Sequence, residues 1–390
     1  MKILQLFNSY LQHGGEEAAV EEIGEALGRH HKVYNFYGST QELLGRTLID
    51  NLQAPFRAIW NRDAFEKLRR LQATEQFDIW LVHNVFPGLS PAVYDAARKS
   101  GVPVVQYLHN YRFGCINGSF LNRGEPCFRC LNGNFLPAVQ TRCWRDNRVA
   151  CAAMAISVSR LRAVGVFSQV AHWIAISQAQ KKFHIQFGIP DERITVNYHC
   201  YRGPLRRGAE GGRDVLFVGR LSIEKGVQIL IEAWKKLSVR DRLLWIVGEG
   251  PFRAHLEELA RPCPTIRFAG PVYGEDLSQK WLSAAITVVP SIWEEPFGRV
   301  LTESWAHRVP VVAARIGALP ELIELTAAGW LFDPGSIASL ADLLRRLVSD
   351  EPAILAVAAR CHEAVSRFSE EDWLSRMDAI LESARSESCR

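Results

Sequence analysis

"VVPSIWEEPFGRVLTES", residues 288–304, passes from an apolar run through a polar turn into the start of an amphipathic helix. Val288 and Val289 close a strand. Pro296 suits a first helical turn, where its missing N–H costs nothing, and Gly298 keeps the backbone bare. The reading predicts a helix from about Pro296, with Glu295 before it and Glu303 about two turns in. A helix N-terminus offers free N–H groups and the positive end of its dipole to an anion. Carboxylates on either side can accept hydrogen bonds from hydroxyls. A dipole-favoured acid followed by an ordinary exposed glutamate would give the same letters, so the rest of the chain has to decide.

The same strand–helix alternation fills the chain. Strands are predicted at 2–8, 31–37, 78–84, 102–109, 172–177 and 194–199, then at 214–220, 243–250, 265–272, 286–291, 310–315 and 329–333. Helical patterns such as 14–30 lie between them. Near-continuous apolar strands alternating with helices indicate parallel sheets covered on both faces. Between the two sets, "YRGPLRRGAEGGRD" (201–214) is rich in glycine and arginine, lacks an apolar period and reads as a linker. The expectation is an α/β protein of two doubly wound, Rossmann-like parallel-sheet domains facing a cleft, 1–203 and 204–367. Ligands of such sheets bind beyond the carboxyl ends of the strands.

Composition agrees. A chain of 390 residues exceeds one ordinary core. Hydrophobic content of 48% with 23% charged residues describes a soluble globular protein. The net charge of +4 is too small for a nucleic-acid coat, so no nucleic-acid partner is expected. "MKILQLFNSY" reads as a first strand rather than a secretory signal. The longest apolar stretch, 149–159, is flanked by Arg148 and Arg160. It is about half of the ~20 residues a membrane span needs. Nine cysteines, an odd number, do not read as a secreted disulfide framework. A cytoplasmic location is the expectation.

Three further strand ends in the second half carry unusual residues. "FVGRLSIEKG" (217–226) places Arg220 and Lys225 after a strand, a pair suited to a diphosphate or equally to a surface turn. "IVGEGP" (246–251) offers bare backbone at Gly248. "FAGPVYGEDL" (268–277), with Val272, could cradle a base or be a plain turn. No complete G-x-G-x-x-G and no G-x-x-x-x-G-K-[ST] occurs, which weakens dinucleotide and P-loop readings.

Together, G-R-L-x-x-x-K-G, V-G-x-G-P and E-P-F-G-x-x-x-x-E resemble the GT-B glycosyltransferases of family 4. "HGGEEAAV" (13–20) resembles that family's glycine loop, and "FHIQFGIPDERITVNYH" (183–199) its run before the linker. "NYHC" departs from the usual P-N-G-V there. The resemblance implies transfer of a sugar from a nucleotide diphosphate sugar, of UDP or GDP type, with retention of configuration. It implies that Arg220 and Lys225 hold the diphosphate, that Glu303 binds ribose hydroxyls and Glu295 the donor sugar, and that Phe297, Gly298, Arg299 and Val300 contact sugar or phosphate. Gly14 and Gly15 would approach the diphosphate from the other domain, and His109 would stand near the reacting carbon, unless it merely ends a buried strand. His83, in "LVHNVFPG", also ends a strand on the acceptor side. Such enzymes usually act without a bound metal, and no catalytic cofactor is expected. Segment 368–384 resembles the closing helix that returns to the first domain, which would take in 368–390.

Cys115, Cys127, Cys130 and Cys143 form C-x11-C-x2-C-x12-C in an aperiodic loop. This spacing suits a structural zinc ion, with free buried thiols or a disulfide as the alternatives. Cys151, Cys200, Cys263, Cys361 and Cys389 read as packing residues. "FRAIWNRDAFEKLRRL" (56–71) reads as one basic amphipathic helix, solvated or resting on anionic lipid. The expected acceptor is a saccharide or lipid-linked saccharide of surface-polysaccharide or glycolipid assembly, met in the cytoplasm or on the inner face of its membrane. Rival readings are a nucleotide-sugar epimerase and a non-catalytic nucleotide-sugar-binding module. The sequence names neither the sugar, the base nor the linkage.

Overall fold

The computed structural model describes residues 1–9, 14–44, 48–206, 212–237 and 239–388. His13, linker residues 207–211 and Cys389 lie outside the described residues. The chain divides into two compact units. One comprises Met1–Phe120, Cys127–Tyr198 and Glu371–Arg390; the other comprises Leu121–Pro126 and His199–Glu370.

Strands β1 (Lys2–Ser9), β2 (Lys32–Ser39), β3 (Ile79–Val82) and β4 (Val104–Tyr107) belong to the first unit. A short hairpin, β5 (Leu121–Asn122) and β6 (Glu125–Pro126), comes next, before β7 (His172–Ala175) and β8 (Ile194–Val196) return to the first sheet. That sheet is six-stranded and parallel, in the order β2-β1-β3-β4-β7-β8. The second unit holds β9 (Asp214–Val218), β10 (Leu244–Val247), β11 (Ile266–Gly270), β12 (Ala284–Val289), β13 (Val311–Ala314) and β14 (Gly329–Phe332). They too are all parallel, in the order β11-β10-β9-β12-β13-β14. All twelve sheet strands fall on the predicted runs.

The elements form where local chemistry favours them. β3, β4, β12 and β13 are buried at every residue, as strands covered on both faces must be. Helix Ile337–Val348 buries Leu340, Ala341, Leu343, Leu344 and Leu347 on one face. Ser336 caps it by accepting from the Ser339 N–H. The second core gathers Leu230, Ile231, Trp234, Leu244, Ile246 and Leu344, each fully or almost fully buried. Each such side chain contributes roughly 1.5–3 kcal/mol through burial.

Two expectations change. Residues 56–71 do not form one helix: Leu48–Ile59 ends, and Arg62–Glu75 begins anew at Asn61, whose side chain accepts from the Ala64 N–H. The apolar stretch 149–159 lies in helix Arg148–Ala163, which packs Met154, Val158 and Leu161 into the first core. No helix among the described residues is long and apolar enough to cross a membrane.

Candidate functional site

The second sheet reverses its strand order between β9 and β12, its first and fourth strands. A topological switch point of this kind opens a crevice at the carboxyl ends of the two strands. The loop after β9 carries Arg220 and Lys225; the loop after β12 carries Glu295. The fold therefore brings two of the predicted segments together.

They meet directly. Lys225 Nζ donates to Glu295 Oε1 at 2.9 Å and to Oε2 at 3.0 Å. Ser291 Oγ and Trp293 Nε1 donate to Oε2 at 2.9 and 2.8 Å. Lys225 Nζ also lies 5.2 Å from the centre of the Trp293 ring. Glu295 is buried, and four donor contacts fix its carboxylate. Separate partners were expected for Lys225 and Glu295; in this structure each is the other's partner. Arg220 is exposed at the head of the same loop.

Backbone contacts brace the two loops. The Ile292 N–H donates to the Glu224 carbonyl at 2.9 Å. Gly226 has φ +69°, and a Cβ there would lie 1.8 Å from the Pro290 carbonyl oxygen. Behind Glu295, Gly317 has φ +58°, and a Cβ would meet the Glu295 nitrogen at 2.3 Å. The Ala318 N–H donates to the Glu295 carbonyl at 2.8 Å. At Gly248, with φ +138°, a Cβ would stand 1.9 Å from the Gly219 carbonyl oxygen, so the two loops approach closely there.

The following helix spans Arg299–Ala306 and starts three residues later than predicted, because Gly298 takes the N-cap at φ +97°. Pro296 precedes the helix, and Glu303 is its fifth residue, about one turn in rather than two. Ser304 Oγ donates to Thr287 Oγ1 at 2.7 Å and ties the helix to β12. The Phe297 ring is buried edge-on against His199 and Phe368. Val272 and Val300 pack on one small apolar cluster with Leu216 and Val247. Burial first, and the Glu303 carboxylate second, push the Tyr201 phenol up, which places Glu303 within electrostatic reach of Tyr201.

In the first unit, Gly14 caps helix Gly15–Leu27, and its N–H donates to Glu17 Oε2 at 2.9 Å. A Cβ on Gly15 would meet nothing within 4 Å. His83 follows β3 and His109 follows β4. Their rings face each other, with His83 Nδ1 and His109 Nε2 2.8 Å apart. They line one pocket with Glu16, Gln106, Asn110 and Arg112.

Cys115, Cys127, Cys130 and Cys143 are free thiols. Burial and then the neighbouring cysteines push Cys130 up to about 11 and Cys143 up to about 12. The four thus lie within electrostatic reach of one another. Among the described residues, however, no group of three His, Cys, Asp or Glu side chains is placed to hold a metal ion. The donor set has the chemistry of a zinc site, but its sulfurs are not gathered into a ligand shell. Aromatic packing holds the loop: Tyr111 and Phe120 are buried against each other and against Phe183, and Phe128 stacks on Phe183.

Ser291, Trp293 and Gly317 were missed in the sequence. The first two had a signal, being side-chain donors within four residues of Glu295; Gly317 had none. Glu294 was also passed over. Its carboxyl is pushed up by burial, partly offset by the Gly317 N–H.

The sequence profile of Glycosyltransferase Family 4 matches residues 13–201, and that of Glycosyl transferases group 1 matches residues 207–366. Sulfoquinovosyl transferase SQD2 of Arabidopsis thaliana is 32% identical over 162 residues, covering 41% of this chain and 30% of that protein. A D-inositol 3-phosphate glycosyltransferase of Corynebacterium kroppenstedtii is 34% identical over 182 residues, covering 44% and 40%. The chain thus spans less than half the length of these curated relatives. The structure of HepE of Anabaena in complex with UDP superposes with a TM-score of 0.70 at 20% identity, covering 98% of this chain and 100% of that one. Two parallel Rossmann-like sheets, a switch point bearing Lys225 and Glu295, and profiles that together take in most of the chain lead to one conclusion: it belongs to glycosyltransferase family 4 and has the GT-B fold.

Proposed function

We propose that the chain is a retaining glycosyltransferase, moving a hexosyl group from a UDP- or GDP-sugar to a saccharide or lipid-linked saccharide in surface-polysaccharide or glycolipid assembly. The observation that carries this reading is the meeting of Lys225 and Glu295, 2.9 Å apart, at the switch point of the second sheet. In the proposed complex, Arg220 and Lys225 face the diphosphate, Glu295 accepts from donor-sugar hydroxyls and Glu303 from the ribose. Charge that develops on the leaving diphosphate then meets cations already in place, together with the N-terminus of helix Arg299–Ala306. Those groups supply the positive charge, so the reading asks for no catalytic metal. The first unit, with His109, serves the acceptor.

UDP is favoured as the nucleotide because solved structures of HepE, similar in fold, hold UDP and UDP-glucose. A peripheral membrane contact on the cytoplasmic face draws support from helix Leu48–Ile59, where Leu52 and Phe56 are each 73% exposed. The next helix adds exposed Arg62, Lys67, Arg69 and Arg70. Apolar tips beside basic residues suit anionic lipid. The test is product analysis with a panel of UDP- and GDP-sugars and lipid-linked acceptors. A new glycoside with the donor's anomeric configuration is expected. Inverted product, or epimerised donor formed without acceptor, would overturn the reading.

A further inference from the structure

His83 is buried, and its backbone is fixed on both sides. Its N–H donates to the Leu6 carbonyl at 2.9 Å, and its carbonyl accepts from Gln106 Nε2. Gln106 is buried in turn and accepts from the Tyr94 hydroxyl at 2.6 Å. His109 stacks on Tyr107 with ring centres 5.0 Å apart, and Tyr107 also packs against His83 at 5.5 Å. Neither imidazole can easily rotate away from the other. A nitrogen–nitrogen distance of 2.8 Å is a hydrogen bond, and it holds one proton between the two rings.

We propose that His83 is a positioning residue for His109: the two imidazoles share one proton and work as a single titrating unit that keeps His109 Nε2 on His83 and turns Nδ1 away from it. This rests on the transferase reading only for what the unit is used for. The proton count follows from the contact. In the neutral pair, one ring donates and the other accepts. One further proton enters on a nitrogen outside the bond, giving an imidazolium that still shares its bond with a neutral ring. A second would put hydrogens on both facing nitrogens and break the contact. The pair therefore carries one positive charge at most, and two neighbouring groups that interact this strongly titrate in steps belonging to the pair. Among the described residues, the charged or titratable groups facing it are Tyr107, Glu16 and Arg112; Asn110 Nδ2 donates to Glu16 Oε2 at 3.1 Å.

The test is nitrogen-15 NMR of histidine-labelled full chain across pH 5–9, for wild type, His83→Asn and His83→Leu. Thermal melts check that each variant folds. In wild type, both rings should move with one common midpoint and take up one proton between them. In His83→Asn, which keeps a polar atom where Nδ1 stood, His109 should keep its tautomer but titrate alone. In His83→Leu it should also lose its fixed tautomer. Independent titration of His83 and His109 in wild type, or an unchanged His109 in a folded His83→Asn, would overturn the proposal. Release of UDP or GDP from the panel of UDP- and GDP-sugars, with the lipid-linked acceptors present, is followed alongside. A shared midpoint in a chain that turns over no nucleotide sugar sinks the transferase reading and spares the pair. Turnover with independent midpoints does the reverse.

Discussion

Glu295 is oriented by three side chains, of which Lys225 alone also faces the proposed diphosphate. Ser291 and Trp293 hold one oxygen, and Lys225 spans both. A hydrogen bond to a charged group is worth about 1.5–3 kcal/mol. Trp293→Phe should therefore slow transfer by about tenfold or more, at about 1.4 kcal/mol per factor of ten, with nucleotide affinity little changed. Glu295→Gln should cost about a hundredfold or more, because a neutral amide accepts weakly from hydroxyls and from Lys225. Steady-state kinetics with the matched donor check both, and unaltered turnover by Glu295→Gln would remove Glu295 from the site. At this scale the sequence was informative about residue type and less so about pairing. Arg220, Lys225 and Glu295 stand out by their motifs. That Lys225 and Glu295 bind each other depends on the strand order, which no local pattern encodes. Glu303 was placed a turn too deep because Gly298, not Pro296, sets the start of its helix.

Elements hold the site through tight loop contacts. Gly226 tolerates neither a Cβ, which would meet the Pro290 carbonyl at 1.8 Å, nor easily its own φ of +69° in any other residue. Gly226→Ala should separate the Lys225 and Glu295 loops, lowering stability by about 1–3 kcal/mol and weakening nucleotide binding. Denaturant titration and calorimetry read the two effects, and a variant unchanged in both would contradict the bracing role. In the first unit, helix Gln178–Gln186 buries His184, whose Nδ1 donates to the Gln180 carbonyl at 2.9 Å. Burial holds this imidazole down to about 4 against the model-compound value of 6.5. The unfolded chain therefore binds a proton that the folded one refuses between pH 6.5 and 4. Stability is full above the unfolded value and falls as pH drops through that window, by about 3 kcal/mol from this group at 1.36 kcal/mol per unit. Urea unfolding at pH 7, 5.5 and 4.5 should show the loss, and His184→Gln should flatten it. The cysteine loop is a case where spacing and structure diverge. Four thiols at zinc spacing suggested an ion, whereas buried aromatic rings, which carry no spacing signature, hold the loop. A chelator should lower the melting temperature by less than about 2 °C, since about 1 kcal/mol moves a domain of this size by 2–4 °C. A larger fall with release of one zinc per chain would show that the thiols close on an ion.

For the whole molecule, two six-stranded parallel sheets were legible because buried parallel strands leave near-continuous apolar runs. Each strand was found, although boundaries moved by a few residues where runs extended past the last ladder bond. Strand order was not legible. The first sheet runs β2-β1-β3-β4-β7-β8 and the second β11-β10-β9-β12-β13-β14, so each has its own switch point. Only the second brings Lys225 and Glu295 together. The break between the units falls at residues 198 and 199, ahead of the glycine-rich stretch read as a linker, and the chain rejoins the first unit at Glu371. The central claim is that a nucleoside diphosphate sits where Lys225 and Glu295 meet. Its most direct test is a thermal titration of wild type and Lys225→Ala with UDP and GDP. A ligand at a hundred times its Kd adds about 2.7 kcal/mol. One of the two nucleotides should raise the wild-type melting temperature by several degrees, about 2–4 °C per kcal/mol, and should lose most of that effect in a folded Lys225→Ala. No rise with either nucleotide, or an equal rise in both proteins, would contradict the account.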